Sequence, residues 1–100
     1  MSAYRFTPQA LADLSDIWAF IAKDNLEAAG RIEQAVYQAC ELIATSPLAG
    51  SIRQDLTALP VRFWLLQPYT NYLIIYDPEK TPVSIIRILH GARNLPSILT

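Results

Sequence analysis

Val83-Ser84-Ile85-Ile86-Arg87-Ile88-Leu89, running directly into His90-Gly91-Ala92-Arg93-Asn94-Leu95-Pro96, is the stretch on which the architecture of this chain turns. The first seven residues are rich in β-branched side chains and read as a strand. Gly91 stands where that strand has to turn, and around it sit the only His of the chain and two arginines, Arg87 and Arg93. A cluster of polar side chains at a strand terminus is a site candidate.

Upstream lie two further apolar runs rich in β-branched and aromatic residues, Val61 to Leu66 and Tyr72 to Tyr76. The connections are Gln67-Pro68-Tyr69-Thr70-Asn71 and Asp77-Pro78-Glu79-Lys80-Thr81-Pro82. Short connections rich in proline and polar residues make the three runs consecutive antiparallel strands. Residues 46 to 60, with Pro47, Gly50, Asp55 and Pro60, read as the longest loop, including a short turn of helix near Gln54-Asp55-Leu56.

The first half of the chain has a different period. Leu11, Leu14, Ile17, Trp18 and Ile21 recur at three-and-four spacing, with Gln9, Asp13, Asp16 and Lys23 elsewhere on the wheel, which specifies an amphipathic helix. Thr7 is positioned to cap it and Pro8 to occupy its first turn. A second helix carries Ile32, Ala35, Val36, Ala39, Leu42 and Ile43 as one stripe. Asp24 with Glu27 has the form of its capping box, and Thr45-Ser46-Pro47 ends it. Gly30 in its first turns costs about 1 kcal/mol relative to Ala, reflecting either close helix approach or a tolerated defect. Before the helices, Ala3-Tyr4-Arg5-Phe6 reads as a short strand.

The order is thus β-α-α-β-β-β. The expectation is one α+β two-layer domain over residues 1–100, with a helical hairpin covering one face of an antiparallel sheet.

Composition narrows the function classes. Apolar residues make up 52% and charged ones 17% of the chain, against usual values of about 45–50% and about 25%. Surplus apolar surface points to a partner. A net charge of −1 gives no global field for nonspecific nucleic-acid binding. The single Cys40, flanked by apolar residues on a helix, reads as a buried thiol in a reducing compartment. With no charged-then-apolar leader and no run near the ~18 residues of a membrane span, a soluble, cytoplasmic protein is expected. No Cys/His cluster, phosphate loop or nucleophile elbow occurs, so neither metal nor cofactor is expected.

His90 has the side chain whose ordinary pKa lies nearest neutrality. It reads either as a proton donor to a leaving group or as a structural or partner-binding group. Arg62 and Arg87 lie inside strands, where a guanidinium needs a partner to offset desolvation. If their faces coincide they form a cationic patch, suited to phosphate or, the favoured reading, to carboxylates of a bound protein. Tyr69 and Tyr72, among five aromatics around the middle strands, are expected to be the most exposed.

The ordered landmarks across the chain are Tyr4-Arg5-Phe6-Thr7-Pro8, Asp13-Leu14-x-x-Ile17-Trp18, Ser46-Pro47-x-x-Gly50, Val61-Arg62-x-Trp64, Tyr69-x-Asn71-Tyr72-x-Ile74-x-Tyr76 and Arg87-Ile88-Leu89-His90-Gly91-Ala92-Arg93. Their arrangement resembles the ParE-like branch of the RelE/ParE toxin superfamily, which includes plasmid stabilisation proteins. The resemblance implies a toxin of a type II toxin-antitoxin module, neutralised in a hetero-oligomer by a cognate ParD-like antitoxin and touching promoter DNA only through it. It implies DNA gyrase as target and no enzymatic activity, with antitoxin carboxylates set against Arg62, Arg87 or Arg93; Tyr69, Tyr72 and His90, from the reading of the residues above, complete the expected partner-binding set. RelE-like relatives cleave messenger RNA on the ribosome. In that alternative His90, Arg62 and Arg87 are the catalytic candidates, but lysine appears only at Lys23 and Lys80. A third reading is a non-toxic antitoxin-binding module.

Overall fold

A computed structural model describes residues 4–91. Strand β1 (Tyr4–Phe6) leads into helix α1 (Pro8–Ala22) and helix α2 (Leu26–Thr45), followed by strands β2 (Arg62–Leu65), β3 (Tyr72–Asp77) and β4 (Val83–His90). The α+β order expected from the sequence is the observed one.

Each helix begins on a side-chain cap. Thr7 Oγ1 accepts from the Ala10 N–H at 3.1 Å, with Pro8 in the first turn. The same hydroxyl donates to the Ile86 carbonyl at 2.8 Å, so the cap also fastens the helix start to β4. At α2 the cap is Asn25, whose Oδ1 accepts from the Ala28 N–H at 3.0 Å. The cap therefore lies one residue beyond the expected Asp24, and the expected box with Glu27 does not form, because the third helical residue is Ala28. Asp24 belongs to the turn between helices, and Glu27 falls in the first turn, where its charge complements the helix dipole.

The three later strands pair antiparallel as expected, but the sheet as a whole is mixed. Its order is β1-β4-β3-β2, with β1 parallel to β4 through Tyr4↔Val83, Arg5↔Ser84 and Phe6↔Ile85. This corrects the expectation of a purely antiparallel sheet. The connection from β1 to β4 includes the whole helical hairpin, and a crossover of that length lets two neighbouring strands run the same way. Between β3 and β4 the register shifts at Ile75/Tyr76, so that Ile75 faces Arg87 and Tyr76 faces Ile85.

The principal core lies between hairpin and sheet, with Leu14, Val36, Ile43, Ile74, Ile85 and Ile88 among its buried members. Cys40 is wholly buried there, as its surroundings in the sequence suggested, and burial pushes its thiol up to about 12. A smaller cluster of Val61, Phe63 and Ile75 has Leu56 from the long loop packed against it. That loop is irregular, as read from its composition, but residues 54–56 form a hydrogen-bonded turn in place of the expected turn of helix.

Two details depart from the helical periodicity. Leu11, Trp18 and Leu42 belong to the apolar stripes yet remain 52%, 36% and 58% exposed, because each sits at the margin of its stripe. Gly30 is exposed, and a Cβ built on it meets nothing within 4 Å, so close helix approach does not explain it.

Candidate partner-binding edge

The register of the sheet places the polar residues of the last strands in two separate neighbourhoods. At one end of β3, Tyr72 pairs with His90. Their rings meet edge to face at 4.9 Å with an interplanar angle of 71°. The Tyr72 N–H is held by the Tyr69 carbonyl at 3.0 Å, and the Gly91 N–H donates to the Asn71 carbonyl, so strand start and strand end are tied together here. Gly91 has φ +72°, a left-handed conformation that glycine adopts without the steric cost other residues incur. It turns the chain away immediately after the exposed His90. Tyr69 and Tyr72 are half-buried against the principal core, less exposed than expected, and burial raises the Tyr72 hydroxyl pKa.

Arg62 lies at the other end. It pairs with Tyr76, four residues along β3 from Tyr72, or roughly 13 Å at about 3.3 Å per residue. Its Nη1 donates to the carbonyls of Leu48 at 2.9 Å and Gly50 at 2.8 Å. Tyr76 completes the same clamp, donating from its hydroxyl to the Pro47 carbonyl at 2.7 Å and accepting from the Gly50 N–H at 2.8 Å. Burial raises the Tyr76 pKa, while the Gly50 N–H and the nearby Arg62 charge pull the other way. Gly50 is required by this close approach, since a Cβ there lies 2.8 Å from Tyr76 Cε1.

Arg87 is near His90 in sequence but turned to α1. Its Nε donates to Asp13 Oδ2 at 2.7 Å and its Nη2 to Asp13 Oδ1 at 2.9 Å. The two-pronged geometry raises the Arg87 pKa, and the pair is largely shielded, with side chains 22% and 14% exposed. Asp13 Oδ2 also accepts from the Ile88 N–H at 3.0 Å. One carboxylate thus secures both the guanidinium and the backbone of β4 beyond the point where β1 stops pairing.

The continuous cationic patch considered for Arg62 and Arg87 does not form. The physical reason is the one that made them conspicuous: a guanidinium inside a strand needs acceptors, and each finds them locally. Arg93 lies outside the described residues. Asp13 is the residue that sequence reasoning left as an ordinary polar position of α1. Its available signal was that Arg87, in mid-strand, required a carboxylate from the covering layer.

Among the described residues no group of His, Cys, Asp and Glu is arranged to hold a metal ion. No helix among them is long and apolar enough to cross a membrane.

A model of the family described as "ParE toxin of type II toxin-antitoxin system, parDE" matches residues 4–95. The chain belongs to the ParE toxin family. The solved structures similar to it include one described as "Chromosomal ParDE TA system from P. aeruginosa". It superposes with a TM-score of 0.74 at 20% identity, covering 92% of this chain and 98% of the other. At that identity the likeness establishes the ParE fold, from N-terminal strand through helical hairpin to the final strands. No curated protein matches the sequence.

Proposed function

We propose that this ParE-family chain is the toxin of a two-component module, is neutralised by a ParD-like antitoxin, and stops replication by acting on DNA gyrase instead of cleaving RNA. The observation that carries the reading is the commitment of Arg62 and Arg87 within the fold. A ribonuclease of this fold would aim those guanidinium groups at the RNA phosphates. Here one is spent on the Leu48 and Gly50 carbonyls and the other on Asp13. His90, exposed at the strand end, has the Tyr72 ring as neighbour and, among the described residues, no hydrogen-bonded acid or base to tune it for proton transfer.

In this reading Tyr69, Tyr72 and His90 engage the protein partner at the end of the sheet, and Arg93 is proposed as a further contact, while Arg87 ties β4 to α1 and Arg62 holds the loop at the far end of β3. The antitoxin forms a hetero-oligomer with the toxin in the cytoplasm, carries the promoter-DNA contact, and covers apolar surface by folding on it.

Pulse labelling of DNA and protein synthesis after inducing the chain alone in bacteria tests the target. DNA synthesis failing first, with a DNA-damage response, is the expected result. Protein synthesis failing first, with loss of that effect in His90→Ala, makes the chain an RNA-cleaving enzyme. Growth without arrest leaves it a non-toxic antitoxin-binding module.

A further inference from the structure

Between α2 and β2 the chain leaves three large aliphatic side chains exposed, Leu48, Ile52 and Leu59. All three line a pocket of about 480 Å³, and the turn between β3 and β4 contributes to it through Glu79. Val61 extends the aliphatic lining, Arg62 is the second charged member, and no aromatic ring takes part. A volume of this size, with mainly apolar walls and a few fixed polar groups, is the usual form of a small-molecule site.

Local bonds give the loop around this pocket one shape. Ser51 and Phe63 exchange backbone hydrogen bonds, each 2.8 Å long. The Val61 N–H donates to the Leu59 carbonyl at 2.8 Å, and Thr57 Oγ1 accepts from the Leu59 N–H at 3.1 Å. With the clamp made by Arg62 and Tyr76, these contacts preorganise the walls before any ligand arrives. The charges are less balanced. Arg53 is neutralised by Asp55 through bonds of 2.9 and 2.7 Å. Arg62 meets only neutral carbonyls, both through Nη1. Among the described residues no carboxylate pairs with it, and its Nε and Nη2 donors have no protein acceptor. A half-buried guanidinium thus brings uncompensated positive charge to an aliphatic pocket.

We infer that this pocket binds a small aliphatic monocarboxylate, a free molecule with an alkyl chain of medium length. The chain lies on Leu48, Ile52, Leu59 and Val61, and the carboxylate accepts from the donors that Arg62 leaves unused. One planar fork matches one carboxylate. A nucleotide fits less well, since its several charges meet a single cation and its base finds no aromatic face to stack on. Glu79, exposed on the opposing turn, repels the same carboxylate and weakens binding. The pocket lies at the Arg62 end of the sheet, away from Tyr72 and His90, and rests on neither the antitoxin nor the gyrase reading.

The test is calorimetric titration of the full-length chain with octanoate, octylammonium and octanol below micelle-forming concentrations. Octanoate is expected to bind at least tenfold tighter than octylammonium, with octanol between them. From hexanoate to decanoate each added methylene should strengthen binding about two- to fourfold. Ile52→Ser and Leu59→Ser, both at exposed positions outside the core, should each weaken octanoate at least fivefold. Leu65→Ser, exposed on β2 outside the pocket, should leave it unchanged, and Glu79→Gln should tighten it at least twofold. Arg62→Lys keeps the charge and loses the fork, and should weaken binding at least fivefold; the Ile52, Leu59 and Glu79 variants decide the matter if that chain fails to fold. No binding at millimolar octanoate, equal binding of octanoate and octylammonium, or affinity untouched in Ile52→Ser and Leu59→Ser overturns the inference. So does a peptide ending in a leucine carboxylate that binds more than tenfold tighter than octanoate, which makes the pocket a seat for a protein tail.

Discussion

Replacing Asp13 by Ala removes the acceptor of three hydrogen bonds, two from Arg87 and one from the Ile88 N–H. Exposed ion pairs contribute about 0.2–1 kcal/mol. Breaking a fully buried one costs about 3–5 kcal/mol, because an unpaired charge is left behind. With side chains 22% and 14% exposed, this pair lies nearer the second case, although Arg87 recovers some hydration after the loss. The orphaned Ile88 N–H adds a share of the roughly 1–3 kcal/mol that an unsatisfied buried donor costs. The expected loss is about 2–4 kcal/mol. In urea, with a slope of about 2 kcal/mol per molar, the midpoint should fall by roughly 1–2 M at unchanged slope. Asp13→Asn, which keeps an acceptor for Ile88, should lose about half as much. A cycle with Arg87→Met should give a coupling of about 2 kcal/mol. A loss below about 0.5 kcal/mol for Asp13→Ala would refute the claim that one carboxylate holds β4 against α1.

Other perturbations probe different parts of the molecule. Gly30→Ala meets open space on an exposed helical turn and should raise stability by about 0.5–1 kcal/mol in the same urea titration; a loss would mean the glycine has a packing role after all. Tyr76→Phe strips the Gly50 N–H and the Pro47 carbonyl of their partner and should cost about 1–3 kcal/mol. Gly50→Ala should cost a comparable amount by pushing the buried Tyr76 ring off its site, and the two losses should not add, since both release the same loop. Cys40 has a folded pKa raised to about 12 from an ordinary value of 9.0, so the folded state holds its proton more tightly than the unfolded one. Its contribution is complete below pH 9.0 and declines as pH rises toward 12, by at most about 1.4 kcal/mol per unit. Cys40→Ala should flatten that part of the stability profile, and an unchanged slope would put the titration elsewhere.

The local features of this fold were legible because they have local causes. Three-and-four spacing marks α1 and α2, Thr7 and Pro8 mark a helix start, and proline-bearing turns separate β2, β3 and β4. What escaped depends on residues remote in sequence. Nothing in Tyr4-Arg5-Phe6 says that it will lie parallel to Val83-Ser84-Ile85, since the choice of neighbouring strand is made by the crossover and not by the strand itself. Asp13 and Arg87 are 74 positions apart, and their pairing follows from the tertiary approach of α1 to β4. The same holds for Arg62, whose fork reaches back to the loop before its own strand. Of the proposed edge, the proximity of Tyr72 and His90 follows from strand pairing, while the separation of Arg62 from it required the register.

The parallel pairing of β1 with β4 also bears on how the molecule is made. Residues 4–6 leave the ribosome long before residues 83–85, the segment they must join. Until then the hairpin has no completed sheet to cover, and Ile85 and Ile88 are missing from the principal core. Contacts so distant along the chain delay the ordering of the whole domain. Synthesis therefore yields an incompletely folded chain for most of its duration, and the sheet closes only as β4 slots between β1 and β3. A truncation ending before Val83 should accordingly give a chain that does not unfold cooperatively in urea, so the domain is committed to its fold only in the last stretch of translation.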